Sequence, residues 1–105
     1  NGYRLLAAWQ GDTVLALGGY RLQESLVYGR FLYLDDLVTR DTARGQHWGA
    51  RMLQHVIGLA EHAGCAQFVL DTGVANAGAQ RFYAREGLSN RAIGFSRSLP
   101  LEATA

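Results

Sequence analysis

Three groups of residues in this sequence have the types and spacing to do chemistry. The first is Arg44-Gly45-Gln46-His47-Trp48-Gly49-Ala50, which leads into an expected helix. The first N–H groups of a helix lack intrahelical partners and lie at the positive end of its dipole, so an anion settles there. Glycine lets backbone come close to a phosphate. Arg44 adds a planar fork that can hold two phosphate oxygens. Gly45, Gln46, Trp48 and Gly49 offer backbone N–H groups. The stretch reads as a diphosphate cradle, or as a structural glycine-rich turn, the commoner use of such residues. It has neither the GxxxxGK[ST] spacing of a triphosphatase loop nor GxGxxG.

The second group is Asn76 and Tyr83. Seven residues is almost two helical turns, so both can face one groove. A tyrosine brings an apolar body and a phenol able to donate a proton. The same placement also suits plain packing. The third group is Asp35-Asp36, late in an apolar strand. Successive strand residues point to opposite faces, so one carboxylate is expected on a covered sheet surface. A charge there is costly unless paired, bound or functional. The alternative is a frayed strand with both acids in water.

The elements that must position these groups follow from hydrophobic period. "YRLLAAWQ" reads as a strand, Gly11-Asp12 as a hairpin turn and "TVLALGGYRLQ" as the return strand. Gly18-Gly19 marks a bulge or a close backbone approach. "GRFLYLDDLVT" is a third extended segment. From Trp48, the residues Met52, Leu53, Val56, Leu59, Ala60 and Ala63 recur at helical spacing, with Gly64 as a C-terminal cap. "AQFVLDT" is a short buried strand. Asn76 caps a second helix with Ala79, Phe82 and Tyr83 inward and Gly87 at its end. "RAIGFSRSL" is a last strand. The order β-β-β-α-β-α-β predicts a mixed α+β fold around one main sheet, in a single domain over 1–105.

Composition narrows the classes. The 105 residues are 49% hydrophobic and carry a formal charge of +1, which disfavours a disordered chain and a polybasic nucleic-acid surface. No run reaches transmembrane length, so no membrane partner is expected. A lone cysteine, Cys65, suggests a reducing compartment, hence the cytoplasm. His47, His55, His62 and Cys65 lack metal-ligand spacing, and no metal is expected. The chain opens without methionine, which leaves residues before Asn1 an open matter.

With these residues in view, "YLDDLVTRDTARGQHWGARML" followed by "NAGAQRFYAREGL" resembles the GNAT superfamily of N-acetyltransferases. Tyr33-Leu34-Asp35-Asp36-Leu37 is similar to a strand of its diamine acetyltransferase branch. The likeness runs from Tyr3 to about Leu99. It implies acetyl-CoA as cosubstrate, with the diphosphate on Arg44, Gly45, Gln46, His47, Trp48, Gly49 and Ala50. It implies that pantetheine pairs like an added strand with Leu37, Val38 and Thr39, and that Asn76 and Ala79 meet the CoA arm. Tyr83 would protonate the leaving thiolate, and Asp35 would act on the amine directly or through water.

The expected activity is acetyl transfer to a primary amine, on a small molecule or a peptide, by direct attack in a ternary complex. A non-catalytic CoA-binding or regulatory module of the same fold is the alternative. Two departures stand out. His47 replaces the motif's first glycine, either narrowing the loop or contacting phosphate itself. The family's usual first strand and following helices are not in this sequence, either because they precede Asn1 or because the domain is minimal. Their absence would expose apolar surface, and a homodimer is expected on that ground.

Overall fold

The computed structural model describes residues 2–40 and 47–100. Contacts divide the chain into two compact units, Asn1–Gly73 and Val74–Ala105. The first unit holds strands β1 (Arg4–Gln10), β2 (Thr13–Ser25) and β3 (Gly29–Thr39), helix α1 (Trp48–His62) and strand β4 (Gln67–Val69). The sheet order is β1-β2-β3-β4, with antiparallel pairs except for a parallel β3–β4. Gly11 turns the first hairpin with φ 59°, a sign that a primed turn tolerates best with glycine. The expected mixed α+β class holds.

Helix α1 lies against one face of the sheet. Its buried stripe is Met52, Leu53, Val56 and Ala60, the spacing of an amphipathic helix. Leu32, Leu53 and Val56 are fully buried, each contributing roughly 1.5–3 kcal/mol. Gly18 permits the close approach. A Cβ there would stand 3.2 Å from the Met52 sulfur and 3.3 Å from Val56 Cγ2. The helix ends as expected, with Gly64 at φ 76°. Gly64 N–H donates to Glu61 and Cys65 N–H to Ala60, which satisfies two late carbonyls.

Two bulges shape the sheet. In the first, Ala8 pairs with Ala16 but Trp9 with Val14, which leaves Leu15 unpaired. The carbonyls released there hold the end of β3. Arg40 donates its backbone N–H to Leu15 O at 2.9 Å and its Nε to Val14 O at 2.8 Å. In the second, Gly19 pairs with Asp36 and Tyr20 with Leu34. The unpaired residue is Asp35, on β3. The glycine pair thus marks both a close approach and the site of a bulge, but the extra residue belongs to the facing strand.

Two of the expected strands need correction. β4 is three residues long and half-buried to exposed, shorter and wetter than a buried "AQFVLDT" strand. Arg91–Leu99 forms no strand. Its Ile93, Phe95 and Leu99 are exposed, on an alternate spacing that Arg97 interrupts. Alternation marks a segment able to pair, but a strand exists only where an edge receives it, and no strand pairs with this one among the described residues. Among its described residues the second unit has one helix, α2 (Ala77–Arg85).

Candidate functional site

The start of α1 is the first part of the site. Arg44, Gly45 and Gln46 lie outside the described residues. His47 is the N-cap and sits at φ 62°, ψ 24°, the left-handed region. L-residues pay roughly 1–2 kcal/mol to enter it, which glycine does not. That explains physically why a glycine suits this point and what its replacement by histidine costs. The cap makes no side-chain hydrogen bond, and the first turn holds no acidic residue. The helix dipole there is therefore uncompensated by the described side chains. Trp48, Gly49 and Ala50 form the first turn.

Arg51 was not singled out by sequence. Its guanidinium stacks on the Trp48 ring 4.0 Å from the centroid, an i, i+3 neighbour that helical spacing makes available. Both residues line an open groove of about 280 Å³ with Leu6, Ala8, Met52 and His55.

The edge of β3 is the second part. Its pairs with β4 are Phe31–Gln67, Leu32–Phe68 and Tyr33–Val69, and they stop there. β3 continues to Thr39, so Leu37, Val38 and Thr39 lie on a stretch with β2 on one side and no strand on the other among the described residues. Val38 is 53% exposed.

The acidic pair is the third part, and the bulge changes its expected geometry. Gly18 faces α1, so by alternation Gly19 and Arg21 face away from it. Asp36 reaches the Gly19 side, where Tyr3 Oη donates to its Oδ2 at 2.6 Å. Asp35 reaches Arg21 two residues along, taking Nε on Oδ2 at 2.9 Å and Nη2 on Oδ1 at 2.7 Å. Both carboxylates thus share one face. The expectation of opposite faces fails because an extra residue in the strand resets the alternation. Asp35 is half-buried and ion-paired, and Asp36 is exposed.

Arg21 also lies over the Tyr33 ring at 5.5 Å, and Tyr33 donates to Asp71 Oδ2 at 2.5 Å. The bond to Asp71 is the main cause that pushes the Tyr33 phenol up to about 12, with burial next. Tyr3, Arg21 and Asp71 escaped sequence reading, because only the strand register brings them to the acidic pair.

The second unit carries Asn76, Ala79 and Tyr83 on α2. Asn76 Oδ1 accepts from Ala79 N–H at 3.0 Å, the expected cap. Ala79, Phe82 and Tyr83 are half-buried, as an inward face requires. Phe82 and Tyr83 meet edge to face at 5.2 Å. Burial raises the Tyr83 phenol above its ordinary value, so the group keeps its proton across the neutral range. Gly87 at φ 95° ends the helix, and Leu88 N–H donates to the Tyr83 carbonyl.

Comparison with known proteins gives this geometry a context. Residues 1–88 match a family described as the acetyltransferase (GNAT) family. An aminoglycoside N(6')-acetyltransferase type 1 from Serratia marcescens is 32% identical over 69 residues, covering 64% of this chain and 47% of that protein. A thialysine N-epsilon-acetyltransferase from Mus musculus is 36% identical over 61 residues, 58% of this chain and 36% of that protein. A crystal structure described as a transcriptional regulator from Bacillus halodurans C-125 superposes with a TM-score of 0.85 at 24% identity, over 93% of this chain and 67% of that one. The chain spans about half the length of several curated relatives it matches, 47%, 57% and 56% of the first three.

Proposed function

Because the chain belongs to the acetyltransferase (GNAT) family, we propose that it transfers an acetyl group from acetyl-CoA to a primary amine. The observation that carries the reading is the early end of the β3–β4 pairing, beyond which Leu37, Val38 and Thr39 keep an edge without a strand partner among the described residues. Pantetheine carries two amides, and such an edge offers it the hydrogen bonds of an added strand. The start of α1, with the residues Arg44, Gly45 and Gln46 that precede it in sequence, would take the diphosphate on backbone N–H groups and the Arg44 fork. His47 fits this role only at the cost of its left-handed backbone. Asn76 and Ala79 are the proposed contacts of the CoA arm.

Acetyl-CoA supplies the acetyl group as a thioester. The amine attacks that carbonyl directly, since Cys65, half-buried and free, has no base hydrogen-bonded to it among the described residues. A backbone N–H near Val38 polarises the carbonyl oxygen as negative charge develops. The acceptor ammonium must first lose a proton, and the acidic pair is where the reading sends it. Asp35 can serve as the base only by giving up Arg21, so its unassisted use as a base is disfavoured. Tyr83 donates its phenolic proton to the departing sulfur. The names of the relatives, acting on an aminoglycoside and on thialysine, support a cationic amine as acceptor. A homodimer and a cytoplasmic location belong to the same reading.

Calorimetry with CoA, followed by acetyl transfer to a panel of amines, tests it. Binding with transfer supports it. Binding without transfer to any amine favours the non-catalytic module, which the strained His47 cap motivates. No binding at high micromolar CoA overturns both.

A further inference from the structure

Gly19 is an unexpected residue for the middle of β2, the longest strand. Glycine there has no side chain to pack and is destabilising by roughly 0.5–1 kcal/mol relative to alanine. Its φ is not positive, so backbone conformation does not demand it. Space does. A Cβ at Gly19 would stand 1.8 Å from Tyr3 Oη, 2.6 Å from Tyr3 Cζ and 3.0 Å from Asp36 Oδ2. The phenol of Tyr3 occupies the volume a side chain would fill, and from that seat it donates to Asp36.

The two acids on this face are held in different ways. Asp35 has both oxygens on one guanidinium, and its charge is compensated. Asp36 has one oxygen on a neutral phenol. That bond fixes the carboxylate without cancelling its charge, and no cation pairs with it among the described residues. Donation to Asp36 also holds the Tyr3 phenol above its usual range, so it remains a donor. A cationic amine meeting this face is attracted by Asp36, whereas Arg21 opposes it at Asp35. The Tyr3–Asp36 bond is exposed and therefore adds little to folding, which leaves orientation as what it supplies.

We infer that Tyr3 is a positioning residue that aims Asp36 at the acceptor's ammonium, from a seat kept open by the absence of a side chain at Gly19. The inference rests on the N-acetyltransferase reading and specifies which carboxylate faces the amine.

Initial-rate kinetics on the full chain test it, with spermidine, kanamycin and thialysine as acceptors. Tyr3→Phe should raise the amine KM about fivefold, the effect of one lost hydrogen bond, and leave kcat and the acetyl-CoA KM within about twofold. Gly19→Ala should do the same by evicting the phenol. In a Tyr3→Ala background, Gly19→Ala should add little, because the seat is already vacant. An unchanged amine KM in Tyr3→Phe overturns the inference while acetyl transfer itself sustains the broader reading. So does a Gly19→Ala effect that persists undiminished without Tyr3. If the wild-type chain transfers to none of the amines, the enzymatic reading fails separately. Calorimetric binding of spermidine to wild type and Tyr3→Phe then decides. Weaker binding by the variant supports the positioning role, and equal binding or none overturns it.

Discussion

The two helices begin in opposite ways. α2 starts from Asn76, whose side chain accepts from Ala79 N–H and so satisfies one of the free donors of its own first turn. α1 starts from His47 in a left-handed conformation with no side-chain cap, and neither helix has an acid in its first turn. One start is completed by its own sequence. The other has no side-chain acceptor at its cap and bears a backbone cost that local capping does not explain. The contrast teaches how the two helices divide the proposed work. In the proposed reading α1 would offer donors to an anion, and α2, which is capped at both ends by its own residues, would present Tyr83.

The strongest way to break this division is Tyr83→Phe. The ring and its packing remain while the donor is lost, so kcat should fall about 10²-fold with CoA affinity and folding retained. Undiminished kcat with chemistry rate-limiting would remove α2 from the reaction. The pH profile sharpens the point. A donor must be protonated, and burial raises the Tyr83 phenol. Wild-type kcat should therefore not lose this donor until pH passes above the ordinary tyrosine value of about 10.

Next in size is Arg44→Ala, which should weaken CoA binding by about 1–3 kcal/mol if α1 is the anion site, measured by calorimetry against dephospho-CoA as well. Equal affinity would leave the uncapped helix start without its proposed ligand. Asn76→Ala should cost about 1 kcal/mol in urea unfolding, because the cap is lost. Asn76→Ser keeps a capping oxygen and should restore most of that. If Asn76→Ser also raises the acetyl-CoA KM, the asparagine both caps and binds, and both helix starts take part in holding CoA.

The smallest effect expected is from His47→Gly. Relief of the left-handed backbone is partly offset by glycine's entropy, for a net gain of about 0.5–1 kcal/mol in stability. CoA affinity measured beside it tells whether the histidine is a flaw in the cradle or a recruited contact. Tighter binding means the former, and weaker binding the latter.

Much of this was legible in sequence because it is local. The Gly11 hairpin turn, the start of α1 at Trp48, the Asn76 cap and the terminating glycines Gly64 and Gly87 each depend on a few adjacent residues. Their backbone demands are written into residue type. The helix stripe from Met52 to Ala60 was equally readable, since helical period follows from geometry. What the sequence could not decide was pairing. Which strand carries the bulge residue at Asp35, which face the two acids share, and where β4 leaves β3 are matters of register between distant segments. Arg91–Leu99 has the alternation of a strand and forms none, because a strand needs a partner edge as well as a pattern. Tyr3 comes to Asp36 across 33 residues through a gap left by Gly19. Sequence determined the local frames and the chemical groups available. Tertiary structure alone decided which of those groups meet, because register and close approach are properties of two strands at once.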